Sequence, residues 1–133
     1  IGAIDKEIQR IKTSELARFG LRASDLMVVY YLEKNPEGLT GADLARLADV
    51  DRAAVSRTVT RLAADGFVEV GEESTRYRAP IRLTEKGYAA MAEVNGLISQ
   101  IVRQAGGGLL DEQRRALYAS LESVLGQLRV IAR

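Results

Sequence analysis

Arg52, Ser56, Arg57, Thr60 and Arg61 are the residues of this chain whose types and spacing point to chemistry. Wound at 3.6 residues per turn, they fall on the side of a helix opposite Val55, Val59 and Leu62, which recur at i, i+4 and i+7. A guanidinium donates in a fixed fork that fits guanine edges or phosphates, and small hydroxyls both donate and accept. That is recognition chemistry rather than bond-making chemistry. The chain has no Cys and no His, which excludes thiol redox sensing, disulfides, the commonest metal ligand and a pH switch near neutrality. No Gly-x-Ser-x-Gly, Ser/His pair or clustered carboxylate motif occurs, so no catalytic role, metal or cofactor is expected. Gly106-Gly107-Gly108 follows a helical pattern and lacks a Gly-Lys-Ser/Thr ending, so it reads as a hinge rather than a phosphate loop.

The elements that must position this face can be read on either side of it. Thr40 and Asp43 form a Thr-x-x-Asp capping box at the start of a short helix with Leu44 and Leu47 on its apolar edge. Ala48-Asp49-Val50 leaves room only for a tight turn, and Asp51 is placed to cap the next helix. Two such helices form a helix-turn-helix, in which one helix braces and the other enters a DNA groove. Phe67-Val68-Glu69-Val70 alternates and is rich in β-branched residues, which predicts a strand. The polar loop 71–78 follows, and then a second strand at Ile81-Arg82-Leu83, with Pro80 at its start where a missing N–H is tolerated. A hairpin directly after the second helix makes a winged helix-turn-helix, with Arg76 and Arg78 near the wing tip for phosphates or the minor groove. Thr84 caps a further helix, and Glu85 suits the positive end of its dipole.

At Leu39-Thr40, Asp43-Leu44-Ala45, Val55-Ser56-Arg57, Leu62, Gly66-Phe67-Val68 and Leu83-Thr84-Glu85-Lys86-Gly87, the chain resembles the MarR family of bacterial transcriptional regulators. The order and spacing of these motifs carry the resemblance over nearly the whole chain. Two positions depart from the family pattern. Thr75-Arg76-Tyr77 stands roughly where the family carries Asp-x-Arg in the wing, and Glu69-Val70 replaces a basic residue after the first strand begins. The resemblance implies a homodimer that binds double-stranded DNA through Thr40, Arg52, Ala53, Ser56, Arg57, Thr60, Arg61, Arg76 and Arg78. It also implies a small organic effector near the boundary between the dimer frame and the DNA-binding lobe. The second helix, read as 24–35, brings Met27, Tyr30 and Tyr31 to that boundary, with Phe19 just before it, and Tyr combines an apolar ring with a polar tip.

Length and composition fit one small domain. The 133 residues are 47% hydrophobic and 28% charged, ordinary values for a globular chain. Net charge is only +1, so the positive potential needed for DNA must be local. No apolar run is long enough to span a bilayer and no leader pattern is visible, from which a cytoplasmic protein is expected. Ile1, Ile4, Ile8 and Ile11 repeat at helical spacing, and Leu117, Leu121, Val124, Leu128 and Ile131 form a 4-3-4-3 heptad seam. The expected fold is mainly α with a small β-hairpin. In it a winged helix-turn-helix core at about 24–84 is flanked by dimerisation helices at about 1–19 and 85–133. Two rival readings stay open here: a winged-helix module that docks protein instead of DNA, and a helical-bundle enzyme. The cationic face at Arg52, Arg57 and Arg61 speaks against the first, and the lack of a catalytic constellation against the second.

Overall fold

The computed structural model of the protein describes residues 1–72 and 79–132. Among these residues the order is α1 (Gly2–Leu16), two short 3-10 turns at Ala17–Phe19 and Ala23–Asp25, α2 (Leu26–Lys34), α3 (Gly41–Ala48), α4 (Arg52–Ala64), β1 (Val68–Val70), β2 (Ile81–Leu83), α5 (Glu85–Ala105) and α6 (Asp111–Ile131). The chain resolves into two compact units, Ile1–Asn95 and Gly96–Arg133. No helix among the described residues is long and apolar enough to cross a membrane.

The core of the first unit is built mainly from leucine and valine. Leu32 of α2, Leu44 of α3 and Leu62 of α4 are all 0% exposed, with Val29 and Val55 beside them. The hairpin adds Phe67, Val68, Ile81 and Leu83, and α5 adds Met91 and Val94. Each fully buried leucine contributes about 1.5–3 kcal/mol, against about 1 kcal/mol for a helix cap. The leucines therefore place the helices, and the caps set where they start. Thr40 Oγ1 accepts the Asp43 N–H at 3.1 Å while the Asp43 carboxylate accepts the Thr40 N–H at 3.2 Å, closing the predicted capping box on α3. Asp51 Oδ1 accepts the Ala54 N–H at 2.7 Å and caps α4. Asp49 ends α3 at φ 55°, a left-handed conformation that Asp tolerates better than most residues.

β1 and β2 pair antiparallel in the register Val68 with Leu83, Glu69 with Arg82 and Val70 with Ile81. The alternation expected over 67–70 is not what the hairpin shows: Phe67 and Val68 are both buried, and Val70 is exposed. The reason is that Phe67 lies in the turn out of α4, where its N–H bonds the Leu62 carbonyl at 2.9 Å, and so it is not part of the pleat. Leu39 makes a bridge to Ile81, with N–H···O distances of 3.0 and 2.8 Å, so the segment entering α3 flanks the wing's second strand.

The junction from α4 through β1 to α5 is tightly built. Thr84 Oγ1 donates to the Gly66 carbonyl at 2.6 Å and accepts the Gly87 N–H at 3.1 Å, as an N-cap does. Thr84 N–H bonds the Phe67 carbonyl at 3.0 Å. Lys86 Nζ donates to the Asp65 carbonyl at 2.6 Å, satisfying an orphan acceptor at the end of α4, and lies 4.6 Å from the Phe67 ring centre.

In the second unit, the end of α5 turns at Gly106–Gly108 into α6. Gln113 Oε1 accepts the Leu110 N–H at 2.9 Å, and Arg114 donates to the Gly106 carbonyl at 3.3 Å. The heptad seam of α6 is uncovered, from Leu117 at 44% to Ile131 at 77% exposure. Ile1, Ile4, Ile8 and Ile11 of α1 are exposed as well.

Candidate nucleic-acid interface

The interface is built on α4. Val55, Val59 and Leu62 turn inward, and the residues left outside are Arg52, Ala53, Ser56, Arg57 and Thr60, all exposed. They form an unbroken stripe because 52, 56 and 60 are successive helical turns, and 53 and 57 run alongside. The stripe starts at the helix N-terminus, where the macrodipole adds positive potential to that of Arg52. The side chains along it are short apart from the arginines, so a groove wall can approach the helix closely. Thr40, half-buried, has its hydroxyl engaged in the α3 cap. The Thr40 N–H is the largest influence holding the Asp43 carboxyl below its ordinary value of 3.8, followed by the Thr40 hydroxyl, with Arg46 adding to it at 3.2 Å.

Beside the stripe lies a cavity of about 580 Å³. Its floor is Val55, Val59 and Ala63 of α4 with Val70 and Ile81 of the hairpin, and Arg52, Ser56 and Thr60 stand at its polar edge. The recognition face and the hairpin base thus line one concave surface. Arg82, half-buried, stands opposite Glu69 in the ladder. The expected wing contacts at Arg76 and Arg78 lie outside the described residues.

One expected contact residue has a partner inside the fold. Arg61 is expected among the DNA contacts. Its guanidinium is instead paired with the carboxylate of Asp25, which is 0% exposed, and the Arg61 side chain is itself only 24% exposed. On the helix Arg61 sits about 40° round from Arg57, at the edge of the outer stripe next to the turn before α2. Burial, and next to it the charge of Arg22, lower the Arg61 pKa. Asp25 is a functional candidate that sequence reasoning missed. Its only local signal is a carboxylate standing immediately before the apolar run Leu26–Leu32.

The residues expected to receive an effector divide into two pairs. Phe19 and Tyr31 pack against the core, whereas Met27 and Tyr30 are exposed. Tyr30 and Tyr31 meet edge to face with ring centres 5.2 Å apart.

Known proteins resemble this chain in sequence and in fold. The family model described as the MarR family matches residues 19–78, which include all of α2, α3, α4 and β1. The HTH-type transcriptional regulator BilQ of Clostridium symbiosum (strain WAL-14163) is 28% identical over 112 residues, covering 84% of this chain and 77% of that protein. Over these residues the chain is similar to the MarR family. A MarR transcriptional regulator from Methanosarcina mazei Go1 has the same fold as this chain, with a TM-score of 0.85 at 20% identity over 98% of this chain and 94% of that one. MepR of S. aureus, solved as a complex with DNA, matches with a TM-score of 0.78 at 20% identity over 95% and 91% of the two chains. The chain therefore has the winged-helix fold of these proteins.

Proposed function

We propose that this protein is a transcriptional regulator of the MarR family, a homodimeric repressor that binds a near-palindromic operator and is released by a small organic ligand. The observation that carries the DNA part is the exposed stripe of Arg52, Ala53, Ser56, Arg57 and Thr60 on a helix capped and braced at its start. In this reading α4 enters the major groove, Arg57 reads a base edge, Arg52 and Thr40 meet the backbone, and the wing arginines 76 and 78 reach the flanking groove. Support for a DNA partner comes from the fold shared with MepR, whose complex with DNA is known.

The dimer rests on the uncovered apolar seam of α6 and the isoleucine row of α1. Exposed apolar rows of this length are costly in water and are the mark of a partner surface. Two linked copies also offset the low net charge of one, since the second half-site is engaged at high effective concentration. Repression is steric, by occupation of the promoter. The effector packs on the exposed Met27 and Tyr30 against Phe19 and Tyr31. It acts by favouring a spacing of the two α4 helices other than the 34 Å or so that two half-sites require.

Selection of bound sequences from a random duplex library tests the reading. The expected product is an inverted repeat with half-site centres about one helical turn apart, lost when the selection is repeated with a cognate aromatic acid. Enrichment of no sequence at all would favour the protein-docking alternative.

A further inference from the structure

Asp25 is the buried charged residue of the described core, and nothing in the recognition face uses it. Both of its oxygens are engaged. Oδ2 accepts the Arg22 backbone N–H at 2.7 Å, closing the 3-10 turn Ala23–Asp25, and Oδ1 holds the Arg61 guanidinium 36 residues further along. The pair joins the start of α2 to the last turns of α4. Arg57, one helical turn before Arg61 on the same side, is exposed and unpaired by any acid among the described residues.

We infer that Asp25 is a positioning residue for DNA recognition, which withholds Arg61 from the phosphates and sets the rotation of α4 so that Arg57 and Ser56 face the base edges. The inference rests on the DNA-binding reading above. Its logic is electrostatic and geometric. A free arginine at position 61 would lie beside the recognition stripe and add a contact that every DNA sequence offers equally, because phosphates carry no sequence information. Pairing it inside the fold removes that indiscriminate term. The same pair fixes the angle of α4 at its far end, where the Asp51 cap no longer constrains it. A carboxylate is required for this, since the Arg22 charge near Arg61 would otherwise push the guanidinium outward.

The test measures the salt dependence of binding for cognate and scrambled duplexes. Asp25→Asn keeps an acceptor for the Arg22 N–H and removes the charge that holds Arg61. The expected result is a salt slope steeper by about 0.9 for each arginine released, with scrambled DNA bound on the order of tenfold tighter per released arginine at 0.1 M salt. The ratio of cognate to scrambled affinity should fall. Adding Arg61→Gln to Asp25→Asn should return the slope to that of the wild type, which a merely structural role would not do. A folded Asp25→Asn protein with the wild-type slope and ratio overturns the inference.

Where circular dichroism shows Asp25→Asn to be unfolded, Arg61→Lys and Arg61→Gln serve in its place. The wild-type slope in both, with a lowered ratio, supports the inference. A slope shallower by about 0.9 in Arg61→Gln but not in Arg61→Lys means that Arg61 already meets phosphate, and overturns it. The wild type is measured first. Binding with no preference for the selected site brings down the DNA reading, whereas a selective wild type with an unresponsive Asp25→Asn brings down only the role of Asp25.

Discussion

Gly87 approaches Phe67 so closely that a Cβ on Gly87 would stand 2.2 Å from the Phe67 carbonyl oxygen. The neighbouring atom is backbone, held by its bond to the Thr84 N–H, and cannot swing aside. Helix propensity alone favours alanine at an interior helical position by about 1 kcal/mol. The contact reverses that sign. Gly87→Ala is expected to lower stability by about 1–3 kcal/mol, seen as a lower urea midpoint with an unchanged m-value. An increase in midpoint would show that the junction can open without cost.

Asp49 turns the chain between α3 and α4 at a positive φ. A glycine reaches this region without the Cβ penalty, and Asp49→Gly is expected to raise stability by a few tenths to about 1 kcal/mol. Asp49→Val should lower it by about 1–2 kcal/mol, because a β-branched residue fits the left-handed region poorly. Thermal unfolding of the two variants, moving in opposite directions from the wild type, is the check.

The capping box predicts an acid-sensitive component of stability. The Asp43 carboxyl is held below its ordinary value, chiefly by the Thr40 N–H. A depressed carboxyl pKa stabilises the fold above the unfolded-state value, and that contribution is lost as pH falls through the folded-state value. The window therefore lies below about pH 4. Asp43→Asn should be less stable than the wild type at neutral pH, and the two should converge as the pH drops through this range. A constant gap between them down to pH 2 would contradict the assignment.

The two arginines of the recognition stripe should separate in their effects on binding. Arg57→Ala is expected to cost about 1–3 kcal/mol on the cognate site with a smaller loss on scrambled DNA. Arg52→Ala should weaken both duplexes alike and make the salt slope shallower by about one unit. Fluorescence-anisotropy titrations at several salt concentrations distinguish the two patterns. Equal losses in both variants on both duplexes would remove the distinction between base reading and backbone contact.

The parts of this protein that were legible in its sequence are those set by neighbours three or four residues away. Thr40 with Asp43, Asp51 with Ala54, and Thr84 with Gly87 are short-range hydrogen bonds, and each start of a helix could be read from them. Val55, Val59 and Leu62 gave away the inner face of α4 for the same reason. The pairing of Arg61 with Asp25 could not be read, because a helical period tells which side a residue occupies and not what lies opposite. The bridge from Leu39 to Ile81 is a single pair outside either strand, with no repeating pattern to announce it.

The clasp of Thr84 and Lys86 on the last residues of α4 has a mechanical consequence. Three hydrogen bonds to the carbonyls of Asp65, Gly66 and Phe67 tie the start of α5 to the turn that leaves α4. The first turns of α5 and the end of α4 then behave as a splined shaft. A twist applied to one arrives at the other as the same angle, instead of being absorbed in a slack connection.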